Sequence, residues 1–154
     1  MTAIKHILAI MAVLLCGAGA MAQNSDFERI ARIPNVEYVY ISKSMLKSLE
    51  PLDSAGELSF IHSTKDLNSI EILSCDDAEN VAEVKSMLTD ATDDLELLSK
   101  VKSGQKNIDV YGKRQGDGLS EMMVISPTAE KVVAVFIKGY MAAETLKSIA
   151  EMKQ

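Results

Sequence analysis

Four short apolar runs in the last third of the chain, at residues 95–101, 108–111, 119–125 and 132–137, restrict its fold more than any other feature. Between them lie Ser103-Gly104-Gln105-Lys106-Asn107, the stretch from Gly112 to Gly118, and Ser126-Pro127-Thr128-Ala129-Glu130. Runs of four to seven residues joined by links of five to seven have the spacing of antiparallel hairpins. Val133, Val135 and Ile137 alternate with Val132, Ala134 and Phe136, so the last run is apolar on both faces. Left at a sheet edge, such a run invites aggregation, which places it inside the sheet with cover on two sides.

The preceding residues supply that cover. Residues 24–33 carry Phe27, Ile30 and Ile33 at helical spacing, Ser25 and Glu28 fit a capping box, and Pro34-Asn35 ends the helix. Residues 36–41 are β-branched and aromatic and read as a buried strand. Ser42 caps a helix bearing Met45, Leu46 and Leu49, which stops before Pro51. Residues 50–66 read as a loop, and residues 69–73 as the next strand. Asp76 or Asp77 caps a helix from Ala78 to Ala91, whose Val81, Val84, Leu88 and Ala91 form one stripe facing the sheet. Ile108, Val110 and Gly112 alternate with Asn107, Asp109, Tyr111 and Lys113, a strand with one wet face. A final helix is expected from Met141 to Met152. The expected fold is α+β: a mixed β-sheet ending in a four-stranded antiparallel meander, with helices packed mainly on one face.

The first residues belong to a different category. Lys5 and His6 precede the apolar run 7–15, and Ala20-Met21-Ala22 supplies an Ala-x-Ala cleavage site, the pattern of a secretory leader. The run is shorter than the roughly 20 apolar residues that span a bilayer. A lipid-anchored product cut before Cys16 is the competing outcome, disfavoured by the bulk of Leu15. The expected organisation is a signal peptide over residues 1–22 and a single α+β domain over 23–154, exported to the periplasm or cell envelope. Losing Lys5 moves the formal charge from −6 to about −7. No basic cluster is apparent, which argues against nucleic acid as a partner, because that affinity comes from neutralising phosphates. Without the leader one cysteine remains, Cys75, so stability comes from packing rather than from an internal disulfide.

A family resemblance rests on Val39-Tyr40-Ile41-Ser42-Lys43-Ser44-Met45-Leu46, on Ile70-Glu71-Ile72-Leu73-Ser74-Cys75 and on Val110-Tyr111-Gly112-Lys113. These strand-to-helix landmarks resemble those of domain-of-unknown-function family 4252, small exported proteins of Bacteroidota, and the likeness covers about residues 25 to 150. It implies export and the order of strands and helices. The family's placement near genes for extracytoplasmic sigma factors implies a regulatory setting in the envelope. The resemblance implies no catalytic residue.

Cys75 and His62 are the nucleophile and base types left after the leader, but Asp76 and Asp77 beside the thiol disfavour a thiolate. Cys75 is expected to be a core residue and His62 a solvated one. Two acidic groups, Asp76, Asp77 and Glu79, and Asp90, Asp93, Asp94 and Glu96, lack the loop spacing of a calcium site. Gly112 to Gly118 has the flavour of a phosphate loop, but a strand follows where such a loop needs a helix, so it reads as a hairpin. Tyr38, Tyr40, Tyr111 and Tyr140 could line a surface, with core packing preferred. The expectation is a non-enzyme with no catalytic, cofactor or metal site, which works by binding another envelope protein as a sensor or regulator. The alternative is a periplasmic small-ligand carrier whose apolar cavity is lined by Met122, Met123 and Phe136, and a hydrolase ranks third.

Overall fold

The computed structural model describes residues 25–49 and 66–142. Along them run α1 (Ser25–Ile30), β1 (Val36–Ser42), α2 (Lys43–Leu49), β2 (Leu67–Cys75), α3 (Val81–Asp90), β3 (Glu96–Ser103), β4 (Lys106–Gln115), β5 (Gly118–Pro127) and β6 (Val132–Met141). The fold is α+β and dominated by its sheet.

The six strands lie in the order β1-β2-β6-β5-β4-β3, and every neighbouring pair is antiparallel. The expected mixed sheet is therefore corrected to an antiparallel one. The reason is topological. β2 and β3 point the same way on either side of α3, but three strands separate them, so no parallel ladder forms. β2 instead pairs with β6, from Cys75 opposite Val132 to Leu67 opposite Gly139. This places β6 inside the sheet, as its two apolar faces require.

The strands outrun their apolar cores. Only Gly104 and Gln105 separate β3 from β4, and Gly116 and Asp117 separate β4 from β5. The backbone ladder continues through polar residues such as Lys113, Arg114 and Gln115, where hydropathy suggested a loop. Gly104 has a φ of 60°, the left-handed conformation that a two-residue hairpin demands at its first central position. β6 likewise runs past Ile137 to Met141, correcting the expected start of a helix at Met141. Gly139 makes this extension possible. Its φ is 133°, and a Cβ there would lie 2.5 Å from the carbonyl oxygen of Asp66 and the Cα of Leu67. The rest of the expected C-terminal helix and the loop at 50–65 lie outside the described residues.

Register assigns side chains to two faces. One face carries the row Tyr40, Glu71, Phe136, Met123, Tyr111 and Leu97, each opposite the next on the adjacent strand. Leu73, Cys75, Val132, Ala134 and Ile125 share this face, where they form a core with Phe27 and Ile30 of α1 and Val81, Val84 and Leu88 of α3. Phe27 and Phe136 meet at 5.8 Å between ring centres. The wet face expected of β4 is corrected by Tyr111, which packs against this core because α3 covers that side. The opposite face carries the aliphatic row Val39, Ile72, Val135, Val124 and Val110. There Leu46 of α2 packs with Leu67, Leu119, Met122 and Met141.

Local chemistry sets the helix ends. The Ser42 hydroxyl accepts a hydrogen bond from the Met45 amide at 3.3 Å, the cap expected of α2. α3 starts later than Ala78 because Asp77 first organises a turn, its Oδ1 accepting from the Glu79 amide at 2.8 Å. Asn35, at φ 62°, donates to the same carboxylate, and the Asn80 amide side chain donates to the Pro34 carbonyl at 3.0 Å. The turn after α1 is thereby tied to the turn before α3.

Phe136→Ala is predicted to lower stability by about 3–5 kcal/mol, the range for emptying a buried aromatic site. Val101→Ala, on the exposed outer strand β3, is predicted to cost under about 1 kcal/mol. Urea unfolding followed by far-UV circular dichroism measures both.

Candidate functional site

Polar groups inside a sheet core are the natural place to look for chemistry, because burying them without partners is costly. Ser69 and Glu71 alternate with Ile70 and Ile72 along β2, and both polar residues are buried beneath the helix-bearing face. Glu71 is fully buried. Its Oε1 accepts a 2.6 Å hydrogen bond from the Tyr38 hydroxyl on β1, which reaches diagonally across the ladder. Burial pushes the Tyr38 phenol well above its ordinary value, and the bond to Glu71 pushes it further the same way. Tyr38 is thus a neutral, fixed donor. Two residues from Glu71, the Ser69 hydroxyl is buried with no hydrogen-bond partner among the described residues. Glu71 and Ser69 are the most deeply buried polar residues among the described ones, and Tyr38 is tied to the first of them. The arrangement can hold a carboxyl and fix strand register, as buried polar networks do.

Sequence reasoning missed Glu71 and Ser69. Alternation with Ile70 and Ile72 shows that Glu71 faces away from the isoleucines, but not which side the helices cover. The only available signal was Tyr38 and Tyr40 on one face of the neighbouring strand, a polar-tipped aromatic pair suited to meet a buried acid.

The other candidates separate. Cys75 is a free, buried thiol opposite Val132, in the core position expected of it. His62 lies outside the described residues. Asp76 and Glu79 flank Asp77, whose carboxyl is held below its ordinary value first by the Asn35 bond and then by the Glu79 amide. Asp90, Asp93 and Asp94 are exposed, and Glu96 pairs with Arg114 at 3.0 Å. No three Asp, Glu, His or Cys side chains converge as metal ligands would among the described residues. Gly112 sits inside β4 against Leu98 and Leu119 rather than in a loop. Tyr140 donates to Asp117 in the tight turn after β4, and that bond raises its phenol. Met122 and Met123 point to opposite faces, Met123 beside Phe136 and Met122 in the other core. The cavity lining proposed for these three residues is therefore corrected, since neighbours on a strand cannot face one cavity.

A sheet-dominated α+β fold with a buried acid–phenol pair is the class that this geometry defines. The chain belongs to the family described as domain of unknown function DUF4252, whose model matches residues 27–149. No curated protein and no solved structure matches the chain at a significant level. Among the described residues no helix is long and apolar enough to cross a membrane.

Tyr38→Phe is predicted to destabilise the fold by about 1–3 kcal/mol, by removing a buried donor from Glu71. A raised phenol favours the folded state below the unfolded value of 10.0, and this contribution is lost as pH climbs above it. The parent should therefore lose stability above pH 10 more steeply than Tyr38→Phe. Denaturant melts at stepped alkaline pH measure the difference.

Proposed function

We propose that the chain is an exported, non-catalytic envelope protein that works by binding another envelope component as a sensor or regulator. Its leader is removed after Ala22, and residues 23–154 act as one domain, released into the periplasm rather than anchored through Cys16. In this reading β3 to β6 form one antiparallel meander, with helical cover chiefly on the face bearing Cys75.

The observation that carries the proposal is the placement of apolar groups on the outer strands. Val39 on β1 is 50% exposed, and Leu97 and Val101 on β3 are 49% and 44% exposed. The groups with reactive potential, Cys75, Glu71 and Tyr38, are instead packed inside or tied to one another. Exposed apolar side chains on edge strands suit recognition of a protein surface.

Affinity capture from native envelope fractions, read by mass spectrometry, tests it. The expected result is one protein recovered in stoichiometric amount by the tagged mature chain. Recovery of a tightly bound small molecule with no protein would overturn the proposal. Intact mass of the native protein should correspond to a chain starting at Gln23, and an acylated species starting at Cys16 would refute the soluble location.

A further inference from the structure

The surface that binds can be narrowed, on the footing that the chain is a binding protein. Among the described residues β3 is the outermost strand of the sheet, paired only with β4. An outer strand presents a row of backbone N–H and C=O groups to any extended segment that approaches. Nearly every residue of β3 is exposed, including Leu97 and Val101.

Its charge sets it apart. The β3–β4 hairpin holds Lys100, Lys102, Lys106, Lys113 and Arg114 against only Glu96 and Asp109, a formal +3 within a chain of −6. Arg114 is taken up by Glu96, and Lys100 by Asp109 at 3.7 Å. Lys102, Lys106 and Lys113 make no ion pair among the described residues. Lys100 and Lys102 lie on one face of β3, about 7 Å apart at strand spacing, while Val101 lies on the other.

Lysines and the irregularity between Leu97 and Ser99 are also the means by which sheets keep outer strands from pairing with themselves. A second copy would bring two sets of Lys100 and Lys102 together, so self-pairing is opposed by charge. The same lysines attract an acidic strand. The guard against one partner is thus a preference for another.

We infer that β3 is a docking edge for an extended acidic segment of a partner protein, which joins the sheet as a seventh strand. Alternating acidic and apolar residues suit it, with acids beside Lys100 and Lys102 and aliphatic groups beside Val101. Backbone bonding supplies affinity, and the lysine pair supplies selectivity and salt dependence.

The test titrates the 15N-labelled mature protein with a nine-residue peptide alternating Glu and Val, with its Lys–Val counterpart, and with vesicles of phosphatidylglycerol. The expected result is saturable binding of the Glu–Val peptide alone, weakened at least tenfold in Lys102→Glu and in high salt. Amide exchange should slow at least tenfold across 96–103 and stay unchanged across 36–42. Absence of binding, equal binding of the Lys–Val peptide, protection of β1 instead of β3, or binding to vesicles in place of the peptide would each overturn the inference. Lys102→Glu also separates this inference from the reading beneath it. If parent and variant capture the same envelope protein equally, the binding function stands and the β3 edge is refuted. If the parent captures nothing, the binding function itself is refuted.

Discussion

The ladder between β2 and β6 holds this domain together. It joins the N-terminal pair β1–β2 to the strands β3 to β6, and without it the sheet would be two fragments. Both cores depend on it. Leu73 and Cys75 of β2 meet Val132, Ala134 and Phe136 of β6 beneath α1 and α3, while Leu67 of β2 meets Met141 of β6 on the side of Leu46. The burial of Glu71 depends on it too, because Phe136 flanks that carboxyl on one side and Tyr40 on the other.

A buried acid in so small a core is a cost that the fold must offset. Tyr38 offsets part of it through a short bond that exists only when β1 and β2 are in register. A shift of one residue would turn Glu71 to the opposite face and bring Ile70 or Ile72 under α1 and α3. The polar pair therefore specifies alignment as much as it stabilises. The tie between Asn35 and Asp77 acts in the same sense at the strand ends, fixing where β1 begins relative to where β2 stops.

Much of this was legible in the sequence, for identifiable reasons. The run 132–137 announced an interior strand because both of its faces are apolar. The stripe of Val81, Val84 and Leu88 announced a helix lying on the sheet, and Ser42 announced the cap of α2. Loop lengths were overestimated because hydropathy stops where side chains become polar, whereas backbone pairing continues through Lys113 to Gln115. Alternation in β2 showed that Glu71 and Ile72 face opposite ways but not which side the helices would cover. Periodicity likewise says nothing of neighbours. That β2 pairs with β6, and not with β3 after α3, is decided by packing between distant parts of the chain.

That pairing has a consequence for how the molecule comes into being. Partners in the β2–β6 ladder are about 57 to 72 residues apart, from Cys75 with Val132 to Leu67 with Gly139. Among the described residues β6 is also the last strand of the sheet to be synthesised. Until it arrives, β2 and β5 are two apolar strands waiting for the same neighbour. Native structure here cannot accumulate from the N-terminus onward as the chain emerges. The long-range step is the closure of β2 on β6, which carries a loop entropy that the short β5–β6 connection does not.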